Sequence, residues 1–268
     1  MITEIMGHRI AADTLGGAFD HAVADHPDRV FARFEGDDFA LDELDDMVRR
    51  VCASLARDGV AAGDRVAAFM YPSPWHLALA LACARLGVVW CPLNVALAKN
   101  DLAYTLHDLE PALVIVDDDL ADGLAEVDAE HHDIGRLPRV GCAVWSGKGG
   151  PGFEGDWLAP ELLQGPSTVT ASDSFAIIYS GGTTGRPKGI EISQFYCVSA
   201  ALRLSEMADF GERETFFSVL QFSHAWTPIT IMPFCLVFDH VFAFWRWWSA
   251  GRFVETARKV GATVVDPY

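Results

Sequence analysis

The chain has few basic residues for its acidic content. Its 268 residues include 20 lysines and arginines against 37 aspartates and glutamates, which gives a formal net charge of -17. A surface with this excess of negative charge repels nucleic-acid phosphates and anionic membranes. The composition therefore argues against nucleic-acid binding, and an anionic ligand has to be captured by local groups.

Long apolar runs are also missing, although 51% of the residues are hydrophobic. No uninterrupted apolar stretch reaches the roughly 18 to 20 residues that cross a bilayer, and the N-terminus has no basic region followed by an apolar run. The six cysteines are scattered singly, without Cys-x-x-Cys spacing. We therefore expect a cytoplasmic protein with no membrane span, no export signal and buried thiols.

Helix and strand patterns alternate along the chain, which is typical of an α/β fold. Apolar residues at helical spacing predict a helix that opens at 40–44 and ends near Gly59, and a second helix is predicted from Pro74 to Gly87. Further helices are predicted over 102–109, after Ser193 and after Ser249. The predicted strands are 65–70, 88–92, 113–116, 139–145, 175–179, 215–220 and a last one from 262.

Two segments are predicted to lie at the surface. The acidic stretch from Asp117 to Asp133 lacks the regular spacing and glycine of a calcium loop, so a solvated helix and loop is favoured over a metal site. Residues 146–172 are rich in Gly, Pro and Ser, which indicates an exposed connection. Within it, 147–152 matches the dinucleotide pattern Gly-x-Gly-x-x-Gly, but Pro151 interrupts it and no amphipathic helix follows, which favours a loop.

The strongest functional signal is the run from Tyr179 to Ile190, Tyr-Ser-Gly-Gly-Thr-Thr-Gly-Arg-Pro-Lys-Gly-Ile, which follows an apolar strand. Its glycines let the main chain approach phosphate oxygens, its hydroxyls can donate, and its lysine is a compact cation. This chemistry fits a nucleotide triphosphate, while the alternative is an ordinary Gly/Thr-rich turn between two strands. The Walker pattern is excluded, because Pro187 precedes Lys188 and Gly189 follows it.

The run resembles the phosphate loop of the adenylate-forming superfamily, which includes acyl-CoA synthetases, adenylation domains of peptide synthetases and luciferases. The signature of that family reads Tyr-Thr/Ser-Ser-Gly-Thr/Ser-Thr-Gly-x-Pro-Lys-Gly, and Gly181 departs from it by replacing the usual Ser. The segment from Gly87 to Asn94 also resembles the family's Gly-x-x-x-x-Pro-Leu-Asn segment. The resemblance implies layered sheets flanked by helices, the N-terminal large domain of an adenylate-forming enzyme. Residues 1–172 would form its first α/β portion, and 173–268 the phosphate loop and the start of a second.

The resemblance also implies a reaction and its site. ATP would activate a carboxylic acid as an acyl-adenylate, a thiol, CoA, would then displace AMP, and Mg²⁺ would share the phosphate charge. The implied catalytic residues are Lys188, Thr183 and Thr184. The implied contacts to the phosphates come from Ser180, Gly181, Gly182, Thr183, Thr184, Gly185 and Lys188. No residue of this chain is assigned to a metal.

His224 is a second candidate site residue. In the family, the next strand leads into a Leu-Pro-x-aromatic-His segment, matched here by 220–224, with Gln221 and Ser223 in place of the usual proline and aromatic. A lone His beside an apolar stretch favours a structural role on its own. The resemblance implies that His224 borders the substrate pocket, without acid or base chemistry.

The chain ends soon after a predicted strand, where the family continues for about as many residues again. We therefore expect part of a longer enzyme, inactive alone, whose C-terminal lid domain is absent or is supplied by a partner chain. Two alternatives stay open at this stage. One is a noncatalytic or degenerate module that binds a nucleotide or acyl group. The departures from the family pattern at Gly181, Gln221 and Ser223 favour this alternative. The other is an adenylation domain that loads a carrier protein, although 249–263 resembles CoA ligases of the carnitine and crotonobetaine type.

Overall fold

The computed structural model describes residues 3–5, 8–131, 133–163, 168–180, 185–247 and 249–265. The α-helices in this part of the chain are α1 Leu15–Asp25, α2 Leu41–Arg57, α3 Pro74–Leu86, α4 Lys99–Leu109, α5 Ala121–Glu130, α6 Gln194–Met207, α7 Met232–Val237 and α8 Phe253–Lys259. The strands are β1 Thr3–Ile5, β2 His8–Ile10, β3 Val30–Phe34, β4 Asp37–Ala40, β5 Arg65–Phe69, β6 Val89–Pro92, β7 Leu113–Asp117, β8 Arg139–Cys142, β9 Ser174–Ser180, β10 Lys188–Ser193, β11 Thr215–Ser218, β12 Val241–Phe244 and β13 Val264–Val265.

Two sheets dominate the structure. The first has six strands in the order β10-β9-β6-β5-β7-β8, and only the edge strand β10 runs antiparallel to its neighbour. The second has five strands in the order β13-β11-β12-β3-β4, in which β4 alone is antiparallel. Helices flank both sheets, so the predicted α/β fold with layered sheets is confirmed.

The alternation of side chains along β5 shows how the layers are arranged. Val66 and Ala68 belong to the largest core cluster, which also contains residues of the five-stranded sheet and of α2, α3, α6 and α7. Ala67 and Phe69 point to the opposite face and pack in a second cluster with α4 and α5. Successive strand residues face opposite sides of a sheet, so the six-stranded sheet is buried on both faces.

Helices α2 and α3 follow the local signals of the sequence. The predicted stripe of α2 is fully buried, with Leu44, Val48, Val51 and Leu55 all at 0% exposure. Helix α3 begins where the Ser73 hydroxyl accepts a hydrogen bond from a backbone N–H of the first turn, with Pro74 as its first residue. It ends at Gly87, whose φ of 71° is the left-handed conformation that glycine adopts without strain. Both helix predictions are confirmed.

The prediction that residues 146–172 form an exposed connection is wrong in part. Phe153 and Trp157 are buried, and their rings pack together at 4.5 Å between centroids. Trp157 also donates a hydrogen bond of 2.6 Å from Nε1 to Asp58, which follows α2. Since these aromatic side chains cover α2 and α3, the middle of the segment forms part of the core. The 147–152 stretch has no helix, as predicted.

Three smaller predictions need correction. Strand β8 ends at Cys142 instead of residue 145, because the chain there turns to bridge Phe153. Ser249 makes no side-chain cap, and α8 begins only at Phe253 after a short 3₁₀ turn. The acidic stretch is mostly exposed as predicted, but Asp117, its first residue, is buried. No helix in the described residues combines the length and the apolarity needed to cross a bilayer.

Candidate functional site

The motif lies on a β-hairpin at one edge of the six-stranded sheet. Strand β9 carries its first residues and β10 its last, and Ser180 lies directly opposite Lys188 in the antiparallel ladder. The Ser180 hydroxyl is 3.4 Å from the backbone oxygen of Lys188, and both residues are exposed. We call residues 180–188 the phosphate loop. Gly185 is described and exposed, while the predicted site residues Gly181, Gly182, Thr183 and Thr184 lie outside the described residues.

The phosphate loop leaves β9 at the carboxyl end of that strand. Because β9 is parallel to β6, β5 and β7, the carboxyl ends of all four strands lie along the same edge of the sheet. Ligands of open α/β sheets bind outside this edge. Tyr71 follows β5 there, and Asp117 ends β7. The fold therefore places the motif on the edge where a ligand is expected.

Helix α4 contacts the chain at both ends of the phosphate loop, which we call its two arms: Tyr179, just before the loop, and Arg186, near its end. On the β9 side, the Tyr179 hydroxyl donates a hydrogen bond of 2.8 Å to the Asp108 carboxylate. Burial and this carboxylate raise the pKa of Tyr179, so the phenol stays protonated and remains a donor. On the β10 side, the guanidinium of Arg186 lies 4.9 Å from the ring centroid of Tyr104. Sequence reasoning missed both contacts, since no local pattern links α4 to a hairpin some seventy residues later.

A polar cluster joins the carboxyl ends of the two sheets. Arg246, which follows β12, forms ion pairs with Asp117 at 3.3 Å and with Asp119 at 2.7 Å. Its guanidinium also lies 4.4 Å from the ring centroid of Tyr71. The Gln221 side chain donates to the backbone oxygen of Arg246 at 3.3 Å, so the segment that contains His224 is tied to the same cluster.

Asp117 is the most perturbed carboxyl group of this cluster. Burial raises its pKa to about 7, although the Tyr71 N–H, 2.9 Å away, and the Arg246 guanidinium both favour the charged form. Desolvation disfavours a carboxylate more strongly here than these partners stabilise it. Asp117 therefore changes charge near neutral pH at the junction of the two sheets.

This shift makes a prediction for the pH dependence of stability. The folded-state pKa of Asp117 lies above the unfolded value of about 3.9, so the folded chain binds this proton more tightly than the unfolded chain does. The resulting stabilisation of the folded chain is complete below the unfolded pKa and is lost as pH rises through about 7. Between about pH 5 and pH 8 the free energy of unfolding of the native chain should therefore fall relative to that of Asp117→Asn. Urea unfolding across this range measures the difference. Asp119→Asn, in the exposed partner of the same arginine, is the control, and parallel pH profiles for the native chain and Asp117→Asn would contradict the prediction.

His224 is exposed and follows β11 on the five-stranded sheet. It lies in a turn, where its backbone N–H donates to Gln221 at 2.9 Å. A π-helical segment, Trp226–Ile231, comes next, and such segments often occur at functional sites. No side-chain hydrogen bond or ring contact joins His224 to Ser180 or Lys188, all three being described residues. Its role at the substrate pocket stays a prediction.

Phe222 connects the two sheets beneath this turn. It is 2% exposed, and its ring contacts Phe244 of the five-stranded sheet at 5.3 Å and Trp90 of the six-stranded sheet at 6.4 Å. It also packs against His76 of α3 at 5.0 Å. Burial lowers the pKa of His76 to about 4, so this imidazole is neutral near pH 7. The turn with His224 therefore rests on an apolar contact between sheets.

The described residues offer little to a metal ion. Within them no group of three or more His, Cys, Asp or Glu side chains could hold one. The polar cluster at Arg246 has its carboxylates already paired with the guanidinium. The side chains of the described residues thus do not fit a resident magnesium site, and we derive no chemical step through one.

Comparison with known proteins places the chain in a family. The sequence profile of the family described as AMP-binding enzyme matches residues 19–266. The chain belongs to this family. The resemblance inferred from Tyr179 to Gly189 is thereby confirmed.

Individual members of the AMP-binding family are similar over different lengths. Long-chain fatty acid transport protein 1 of Rattus norvegicus is 28% identical over 277 residues, which cover 98% of this chain and 42% of that protein. Indoleacetate–CoA ligase of Aromatoleum aromaticum is 32% identical over 175 residues, 63% of this chain and 32% of the ligase. The crystal structure of ATP-bound MatB from Rhodopseudomonas palustris aligns with a TM-score of 0.77 at 26% identity, over 93% of this chain and 48% of that one. The chain thus spans less than half the length of these relatives.

Proposed function

We propose that the full-length protein uses ATP to activate a carboxylic acid as an acyl-adenylate and then transfers the acyl group to CoA. The observation that carries this proposal is the phosphate loop, whose motif lies on a hairpin at the carboxyl edge of a parallel sheet. Similarity to proteins named as CoA ligases supports CoA as the acceptor.

The proposed reaction has two steps, formation of the acyl-adenylate and formation of the thioester. A carboxylate oxygen attacks the α-phosphorus of ATP, and the bond to the bridging oxygen of pyrophosphate breaks. The thiolate of CoA then attacks the acyl carbon, a thioester forms, and AMP leaves with the electron pair of the broken C–O bond. Because a carboxylate is a poor electrophile, the first step is needed to supply a good leaving group.

The phosphate loop would act on the first step. The cation of Lys188 and the hydroxyls of Ser180, Thr183 and Thr184 would neutralise charge that builds up on the departing pyrophosphate. Gly181, Gly182 and Gly185 would let backbone N–H groups approach the β- and γ-phosphates. Magnesium would arrive as the counter-ion of the nucleotide, and His224 would border the acid.

Hydroxylamine trapping tests the proposal directly. The full-length protein is incubated with ATP, magnesium, hydroxylamine and a panel of aliphatic, aromatic and amino acids, and hydroxamate and pyrophosphate are measured. We expect at least one acid to give both products in equal amounts, and CoA to replace hydroxylamine as acceptor. Binding of ATP without adenylate formation from any acid would contradict the proposal and favour a noncatalytic nucleotide-binding module.

A further inference from the structure

Helix α4 contacts the phosphate loop from both sides. We infer that Tyr104 and Asp108 of α4 form an anchor that holds the two arms of the loop in place, so that both are positioning residues for the triphosphate of ATP. This inference rests on the proposed function and deepens it. We call Tyr104 and Asp108 the α4 anchor.

The first contact fixes the arm that enters the loop. Tyr179 precedes Ser180 directly, and its hydroxyl donates to Asp108 at 2.8 Å. A hydrogen bond to a charged acceptor is stronger than one between neutral groups. This hydrogen bond therefore holds the residue before the loop against α4 and sets the direction in which the chain enters the loop.

The shape of the hairpin supports this contact. Gly189 lies opposite Tyr179 in the ladder, and a Cβ atom at position 189 would lie 3.3 Å from Tyr179 Cζ and 2.8 Å from Ile177 Cγ2. A side chain at this position would clash with Ile177 and crowd the tyrosine ring. The glycine that closes the motif thus leaves room for the ring to extend towards Asp108.

The second contact fixes the arm that leaves the loop. Arg186 lies two residues before Lys188, and its guanidinium packs over the Tyr104 ring at 4.9 Å from the centroid. A cation over an aromatic face is attracted by the ring quadrupole. Pro187, between Arg186 and Lys188, is buried and limits the backbone freedom of this arm.

The helix that carries the two anchor residues is packed against the six-stranded sheet. The two residues lie four positions apart, which places them one turn apart on the same face of α4. Neighbouring positions Leu102, Leu106 and Leu109 are buried against the six-stranded sheet. Since α4 cannot move without breaking this packing, it is a fixed support for groups that have to keep their position during adenylyl transfer.

Substitutions that break either contact of the α4 anchor should weaken the handling of ATP without removing a phosphate ligand. In the full-length protein, Tyr104→Leu and Tyr179→Phe are each expected to raise the KM for ATP about 2- to 5-fold in pyrophosphate exchange, the range for one exposed cation–π or hydrogen-bond contact. Hydrogen exchange of amides in 180–188 should become faster without nucleotide. Tyr104→Phe keeps a ring beneath the guanidinium and should restore both values.

The chain offers a matched control. Tyr196 on α6 forms the same kind of contact with Arg203, at 5.8 Å, away from the phosphate loop. Tyr196→Leu should therefore leave the KM for ATP and the exchange of 180–188 unchanged. This comparison separates a local effect on the loop from a general loss of surface packing.

The outcomes distinguish the anchor from the proposed function. If Lys188→Ala impairs pyrophosphate exchange while Tyr104→Leu and Tyr179→Phe match the native protein in KM and in hydrogen exchange, the anchor is refuted and the proposed function stands. If the native protein forms no adenylate, hydrogen exchange still decides: faster exchange of 180–188 in Tyr104→Leu but not in Tyr196→Leu supports the anchor, and equal exchange refutes it.

Discussion

Replacing Lys188 with alanine is expected to lower the rate of ATP–pyrophosphate exchange about 100-fold, the loss typical when one preorganised charge-stabilising group is removed. Lys188 is exposed at the start of β10 and faces Ser180 across the hairpin. Its side chain makes no hydrogen bond or ion pair with another described residue, so removing it leaves no buried partner unsatisfied. The expected loss is therefore one of transition-state stabilisation, with little change in folding.

Two variants make this measurement specific. Lys148→Ala removes a cation of similar exposure, paired with Glu43 at the surface, and should leave exchange unchanged. Lys188→Arg retains the charge but carries it on a larger planar group, so we expect intermediate activity. Full activity of Lys188→Ala, measured with saturating acid and ATP, would show that the loop does not handle pyrophosphate.

Replacing Phe222 with alanine is expected to reduce the free energy of unfolding by about 3 to 5 kcal/mol, the usual cost of deleting a buried aromatic side chain. The ring lies between the two sheets, in contact with Trp90, Phe242 and Phe244. Its removal would leave a cavity bounded by both sheets, which close packing prevents from collapsing fully. Urea unfolding of the purified chain measures the loss.

Smaller changes test this explanation. Phe222→Leu fills much of the same volume and should cost less than half as much, since less of the cavity remains. Phe195→Ala removes a ring that is 39% exposed on α6 and should change the unfolding free energy by under about 1 kcal/mol. A cost for Phe222→Ala no larger than that for Phe195→Ala would mean that the sheets are not joined through this ring.

Several parts of the fold could be predicted because their signals are local. Helix α3 was bounded correctly at Pro74 and Gly87, since capping depends on a few consecutive residues. The same holds for the hydroxyl cap of Ser193 on α6, which accepts a hydrogen bond from the N–H of Tyr196. The motif of the phosphate loop is also contiguous, so the family could be inferred from it and was confirmed.

Other features depend on residues that are far apart in the chain. The 146–172 segment has the composition of a loop, yet Phe153 and Trp157 are buried because α2 and α3 present an apolar surface to them. Asp117 was expected in a solvated stretch, but the end of β7 faces Arg246 from the other sheet. Neither outcome can be read from neighbouring residues, since the partners lie about 100 or more positions away.

The order of residues alone carries the motif that indicates the family and the positions of most helices, because capping, periodicity and a contiguous motif act over a few residues. The tertiary structure decides which helix supports that loop, which ring joins the sheets and which carboxyl group is desolvated. The contacts of Tyr179 with Asp108, of Phe222 with Trp90 and of Asp117 with Arg246 join residues that are far apart in the chain. Burial and long-range contact are properties of the packed chain, so no local pattern carries them.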